Sequence, residues 1–203
     1  MSTGPITTEQ TALSTSNNMF LSDVDIKKAV VSGAIIIEPF DERKLQLASY
    51  DVSLGNEFEI VDRHQLEASD PAKKIFPTTR KIYIEDGERF VLHPGENVLG
   101  KQKEFIGVDL EHLILLSGKS SLARIGLVVH NTAMLFNPGH KFFPTFELVN
   151  NSNIPIILRP GMEIAQLIFA KLSSPASKSY EDIGRYDSAN SDHFTQSKKN
   201  NHV

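Results

Sequence analysis

The chain has 203 residues, of which 40% are hydrophobic and 23% charged, and its formal net charge is −4. Such a composition supports one globular domain with a real core; it holds neither the roughly 18-residue apolar run of a membrane helix nor the basic excess of nucleic-acid polymer binders. Cysteine is absent, which excludes disulfides, thiolate metal sites and a Cys nucleophile, and the first residues lack the basic-then-apolar pattern of a secretory leader, so a cytoplasmic protein is the default expectation.

Residues 1–18 are rich in Ser, Thr and Asn and read as a disordered arm. Ser22-Asp23-Val24-Asp25 then resembles a helix start, and Gly33 stands where a helix stops, which predicts a helix over 22–32 with Val24, Ala29, Val30 and Val31 as its apolar face. From about residue 50 the pattern changes to short strands. They are expected at Tyr50–Leu54, Glu57–Val61, Lys81–Ile84, Arg89–Leu92, Asn97–Leu99, Leu113–Leu116, Leu127–His130, Thr145–Val149, Ile154–Leu158 and Glu163–Phe169. Turn signals separate them at Gly55-Asn56, Asp86-Gly87, Pro94-Gly95, Pro138-Gly139 and Pro160-Gly161. Many short strands without strand–helix alternation imply a mainly β domain over 19–172, of sandwich, jelly-roll or barrel type. The polar stretch 173–203 reads as a flexible tail, in which Tyr180, Gly184, Arg185 and Tyr186 are candidates to close over a ligand.

Three segments carry potential chemistry. In Ser117-Gly118-Lys119-Ser120-Ser121-Leu122-Ala123-Arg124 the glycine admits an anion close to the backbone, and hydroxyls and N–H groups supply donors. A short helical turn there would bring Ser120 and Arg124 to one side. The segment lacks the upstream glycine and the strand–helix setting of a Walker loop, and taken alone it is equally readable as a capped serine-rich turn. In Thr145-Phe146-Glu147-Leu148-Val149, strand alternation puts Phe146 and Leu148 on one face and Glu147 on the other, where it meets either solvent or a pocket. A carboxyl in a pocket is suited to general acid–base work. The third segment, His130 to Gly139, ends an apolar stretch in the turn Asn137-Pro138-Gly139, and places the polar Asn137 where it would meet a sugar hydroxyl.

Set in order, these segments resemble the dCTP deaminase family of the dCTP deaminase/dUTPase superfamily. Gln46 to Gly55 (QLASYDVSLG), Leu92-His93-Pro94-Gly95-Glu96 with Val98-Leu99-Gly100, and Gly118 to Gly126 (GKSSLARIG) all match its blocks. So do His130, Thr132, Ala133, Pro138-Gly139, Glu147-Leu148 and Arg159-Pro160-Gly161-Met162 through Gln166-Leu167, which together span residues 20–172. The resemblance implies a dUTPase-like β-barrel or jelly roll with a short N-terminal helix, assembled as a homotrimer. It also implies hydrolytic deamination of dCTP to dUTP and ammonia. Ser120, Arg124, Ala133 and Glu147 would form the catalytic set, with Glu147 moving protons and the Thr132-Ala133 backbone placing the water. Lys119, Ser121, Thr132, Asn137, Gln166, Tyr180 and Arg185 would contact substrate. Mg²⁺ would arrive on the triphosphate, with no metal site of the protein's own. The seven histidines show no His-Glu-x-x-His, and there is no His-x-Glu followed by paired cysteines, so a zinc-dependent deamination is not expected. The partners implied are dCTP and dUTP, with dTTP as a candidate inhibitor.

The chain departs from the family pattern at several points. Lys119 stands where arginine is usual, and Asn137 where aspartate is usual; asparagine bonds a 3′-hydroxyl but cannot act as a base. Met134-Leu135 and His140 to Phe143 are atypical, and Arg185 to Ala189 lack the usual Tyr-Gln-Gly-Gln pattern. Three readings follow: a dCTP deaminase, a dUTP diphosphatase or bifunctional enzyme giving dUMP and pyrophosphate, and a nucleotide-binding regulator without turnover.

Overall fold

A computed structural model describes residues 20–62 and 67–183. In chain order it holds α1 (Asp23–Ser32), β1 (Ile35–Glu38), β2 (Leu45–Gln46), β3 (Ser49–Val61), β4 (Thr79–Tyr83), β5 (Phe90–Leu92), β6 (Asn97–Gln102), β7 (Phe105–Val108), β8 (His112–Gly118), α2 (Ser120–Ala123), β9 (Leu127–Val128), β10 (Leu135–Phe136), β11 (Lys141–Phe142), β12 (Thr145–Asn150), β13 (Ile156–Leu158), β14 (Glu163–Lys171) and α3 (Tyr180–Ile183). The expected arm (1–18) and the tail beyond Ile183, Arg185 included, lie outside the described residues. No described helix is long and apolar enough to cross a membrane.

The main sheet runs β10-β8-β14-β3-β6-β12-β9, with β2 and β4 paired to β3, and its mapped pairs are antiparallel. Residues 129–134 join its two ends, β9 and β10, so the sheet curls back on itself as a barrel does. A smaller sheet β1-β7-β11 and the pair β13-β5 complete the β structure. The core is drawn from alternate residues of these strands. Tyr50, Val52 and Leu54 of β3, Phe146 and Leu148 of β12, and Leu167 and Phe169 of β14 are all fully buried.

The helix α1 forms where its caps predict. The Ser22 hydroxyl accepts from the Asp25 N–H at 3.4 Å, and Gly33 closes the helix at φ 79°. Its buried face, however, is Ile26 and Ala29 with Val30 packed beside them, whereas Val24 and Val31 are 55% and 83% exposed. Positions 26, 29 and 30 form the i, i+3, i+4 stripe; 24 and 31, seven apart, share the opposite side.

One expected turn is no turn. Gly55-Asn56 lies inside β3, which runs unbroken for 13 residues. Leu54 pairs with Gln102 and Phe58 with Gly100, so β3 carries extra residues against β6 in a bulge. A Cβ on Gly55 would sit 2.8 Å from the Lys101 carbonyl oxygen, so this glycine serves a close backbone approach and not a reversal. The other four glycine turns hold, with Gly87, Gly95, Gly139 and Gly161 all at positive φ. Strands β1 and β7, and the two-residue strands β2, β10 and β11, were not expected from the sequence pattern.

Candidate active site

On β12, Phe146 and Leu148 point inward, and Glu147 faces the other side half-buried. Its main chain is anchored by pairing with Leu99 of β6 and by donation from the Glu147 N–H to the Val129 carbonyl at 3.1 Å. Its side chain is fixed as well: the Asn131 N–H donates to Oε2 at 2.7 Å. One carboxylate oxygen is therefore held, and Oε1 has no partner among the described residues. The strap 129–134 then passes from Glu147 toward β8, where the Leu116 N–H donates to the Met134 carbonyl at 2.8 Å. Thr132 and Ala133 are exposed on that strap, within two residues of the bond to Glu147.

The serine-rich segment does form a short helical turn. Lys119 caps α2 with its carbonyl, which accepts from the Leu122 and Ala123 N–H groups at 3.0 Å each, and the Arg124 N–H donates to the Ser120 carbonyl at 3.1 Å. Ser120, Ser121 and Arg124 are exposed, and the Arg124 guanidinium makes no ion pair among the described residues. The turn is pinned at its far end by Gly126, at φ 85°, whose carbonyl accepts from the Asn151 N–H at 2.8 Å.

Lys119 is engaged instead of free. Its ammonium donates to Asp51 Oδ2 at 2.7 Å and to Glu163 Oε2 at 3.0 Å. Burial pulls the Lys119 ammonium down from the usual lysine value, but the bonds to Asp51 and Glu163 outweigh it and raise it. Beside this cluster the Ser49 hydroxyl donates to Gln166 Oε1 at 3.0 Å, which leaves the Gln166 amide N–H₂ as a donor.

Two further expected substrate contacts, Tyr180 and Asn137, lie close in the fold to His140. The Tyr180 ring lies against His140, with centroids 4.0 Å apart, and the Tyr180 N–H donates to the Pro138 carbonyl at 2.9 Å. Residues 173–183, read from sequence as the start of a flexible tail, are thus tied to the body, with the Ala176 N–H also donating to the Leu110 carbonyl at 2.8 Å. Asn137 is exposed in its turn, its carbonyl accepting from the His140 N–H at 3.2 Å. Within one chain no hydrogen bond or ion pair joins Arg124 to Glu147 among the described residues. Asp51, Glu163, Ser49 and Asn131 were not singled out from sequence. The alternation Ser49, Asp51, Ser53 was the available signal, although a polar stripe on a strand ordinarily faces water.

A family model described as dCTP deaminase-like matches residues 20–172. The chain belongs to the dCTP deaminase-like family. It is 44% identical over 162 residues to a protein of Beutenbergia cavernae named "dCTP deaminase, dUMP-forming", covering 80% of this chain and 84% of that one. A relative from Tropheryma whipplei with the same name is 43% identical over 162 residues, covering 80% and 83%. A Natronomonas pharaonis protein named "dCTP deaminase" is 41% identical over 166 residues, covering 80% and 85%. Among solved structures, 2′-deoxycytidine 5′-triphosphate deaminase from Agrobacterium tumefaciens superposes with a TM-score of 0.59 at 18% identity, over 77% of this chain and 49% of that chain. That likeness shows a shared fold for the family's β domain, and the match spans about half of the Agrobacterium chain.

Proposed function

We propose that this member of the dCTP deaminase-like family hydrolyses the C4 amine of dCTP. The observation that carries the reading is the Glu147 carboxylate, held on one oxygen by the Asn131 N–H with the other without a partner among the described residues. The free oxygen takes a proton from water as the oxygen of that water adds to C4 of cytosine. The same carboxyl returns the proton to the amine nitrogen and the C4–N bond breaks, so that ammonia leaves; the proton remaining on the new C4 hydroxyl passes to N3, and the C4 carbonyl forms. The exposed Thr132-Ala133 backbone lies beside this carboxylate and suits placement of the water and the base edge. Ser120, Ser121, Arg124 and the Gln166 amide are donors to phosphate oxygens and not ligands to an ion, which fits Mg²⁺ carried on the triphosphate. The metal would neutralise phosphate charge; the protein's part is to bind and orient. A homotrimer would bring a second copy's α2 toward Glu147, which accounts for the missing Arg124–Glu147 contact within one chain.

The test is ammonia release from dCTP with Mg²⁺. Glu147→Gln keeps the shape but cannot take a proton, and its rate should fall by about 10²–10⁴-fold, the range of a general acid–base group. A variant that retains a tenth of the activity would remove Glu147 from this role.

A second reading concerns the product. The Beutenbergia and Tropheryma relatives are named dUMP-forming, which favours coupled hydrolysis of the triphosphate to dUMP and pyrophosphate. Chromatography of products from dCTP and from dUTP, supplied separately, decides between dUTP and dUMP.

A further inference from the structure

At the corner between β7 and β8, three consecutive carbonyls receive donors from two separate segments. The Asp109 carbonyl accepts from the Gly139 N–H at 2.9 Å, the Leu110 carbonyl from the Ala176 N–H at 2.8 Å, and the Glu111 carbonyl from the Leu172 N–H at 2.7 Å. The two segments are also tied to each other. The Tyr180 N–H donates to the Pro138 carbonyl at 2.9 Å, and the Ser179 hydroxyl donates to the Gly139 carbonyl at 3.3 Å. Their approach is so close that a Cβ on Gly139 would collide with Ser179. Corner, Asn137 turn and segment 172–183 thus close a ring of contacts.

Three carbonyls in a row can serve two segments only while the corner keeps one shape, and one carboxylate sets that shape. Asp109 Oδ1 accepts from the Glu111 N–H at 2.8 Å, and His112 Nδ1 lies 2.8 Å from the same oxygen. A carboxylate oxygen only accepts, so Nδ1 carries the proton and donates it. His112 is 7% exposed and pairs across β8 and β14 with Lys171, the residue before Leu172. The sheet therefore fixes the His112 ring, and the Asp109 carboxylate fastens the corner to it. We propose that Asp109 and His112 are positioning residues: they clamp this corner, and through the Gly139 N–H they place Asn137 against the sugar of the nucleotide. The clamp stands on the chain's own contacts, whereas its consequence at the sugar rests on the dCTP reading above.

Amide hydrogen exchange reads the clamp without any substrate. Asp109→Ala and His112→Leu should each speed exchange at Gly139, Leu172, Ala176 and Tyr180 by about tenfold, while the Glu147 amide, bonded to the Val129 carbonyl, keeps its protection. His112→Asn, whose side-chain amide can still donate to Asp109, should retain most of the protection. Unchanged exchange at the four amides, or an equal rise at Glu147, overturns the clamp. The sugar is read by calorimetry in a Glu147→Gln background, which slows turnover, with dCTP and 2′,3′-dideoxy-CTP as ligands. Loss of the 3′-hydroxyl should weaken binding about 3–10-fold, the range of one hydrogen bond. His112→Leu should bring the two nucleotides to nearly equal affinity by weakening dCTP alone, and adding Asn137→Ala should change nothing more. Equal weakening of both nucleotides by His112→Leu is what a merely structural role gives, and it overturns the positioning role. Parent protein that binds neither nucleotide, or both equally, would refute the reading of the site, while the exchange result still judges the clamp.

Discussion

Gly126→Ala offers a severe test of how α2 is placed, with Gly87→Ala as its control. Both glycines have nearly the same positive φ, 85° at Gly126 and 88° at Gly87. An alanine there carries a left-handed penalty of about 1–2 kcal/mol in either case. Their surroundings differ. A Cβ at Gly87 meets nothing within 4 Å, whereas at Gly126 it would lie 2.8 Å from both Cβ and N of Ser152 and 3.2 Å from the Asn151 carbonyl carbon. That neighbour cannot yield cheaply, because Asn150 Oδ1 accepts from the Ser152 N–H at 2.9 Å and from its hydroxyl at 2.7 Å, and Asn150 is fully buried. Overpacking of this kind adds roughly 1–3 kcal/mol. Gly126→Ala should thus destabilise by roughly 2–5 kcal/mol and Gly87→Ala by only the left-handed term. The gap corresponds to roughly 2–12 °C in Tm for a domain of this size. Urea unfolding of both variants measures it, provided the m-values agree. Equal losses would show that the 150–152 turn gives way, and that α2 is not held by it.

Three other outcomes follow from particular contacts. Glu104 is 1% exposed, and it accepts from Lys44 Nζ at 2.6 Å and from the Ser53 N–H at 2.9 Å. Glu104→Ala leaves the Lys44 ammonium unpaired and should cost about 3–5 kcal/mol in chemical denaturation, while Lys44→Met with Glu104→Leu should recover most of it; a single variant within 1 kcal/mol of wild type would contradict this. The hydrogen bonds from Arg43 hold the Asp41 carboxyl down at about 2 from its usual 3.8, so its contribution to stability is complete above pH 3.8 and lost as pH falls through about 2. A carboxyl NMR titration with its midpoint near 4 would refute that, and Arg43→Ala should move the midpoint upward. Asn137→Asp, at an exposed turn position, supplies the base that asparagine cannot be; it should raise the share of dUMP over dUTP in the products, and an unchanged ratio would show that this side chain does not touch the hydrolytic water.

The elements legible in the sequence are those whose signals are local. Ser22 and Gly33 mark α1, the alternation of Phe146 and Leu148 gives β12, and Pro138-Gly139 and Pro160-Gly161 give turns, because each depends only on residues within a few positions. The misreadings are non-local. Gly55 reads as a turn until the Lys101 carbonyl of another strand is placed against it. Lys119 has acceptors 68 and 44 residues away in sequence, and pattern gives no hint that both arrive at one ammonium. Two-residue strands such as β10 and β11 exist only through pairing with β8 and β7, and carry too little pattern of their own to be found. Tyr180 reads as an aromatic able to close over a ligand, and only the structure brings the His140 ring to 4.0 Å from its own.

The polar stripe of β3 ties the fold to the site. Tyr50, Val52 and Leu54 fill the core on one face, while Ser49, Asp51 and Ser53 on the other are also buried, each satisfied by a partner from another element: Gln166, Lys119 and Lys44 respectively. A slip of one residue against β14 would turn Asp51 into the apolar core and Tyr50 out of it, removing a charge from its ion pair and a large ring from its packing at once. The penalty on both faces makes the register of β3 nearly unique. Because Lys119 is fastened to Asp51, that register also fixes where the serine turn begins. The buried strand thus meets the N-terminal end of α2 through one ion pair, from the Lys119 ammonium to Asp51 at 2.7 Å.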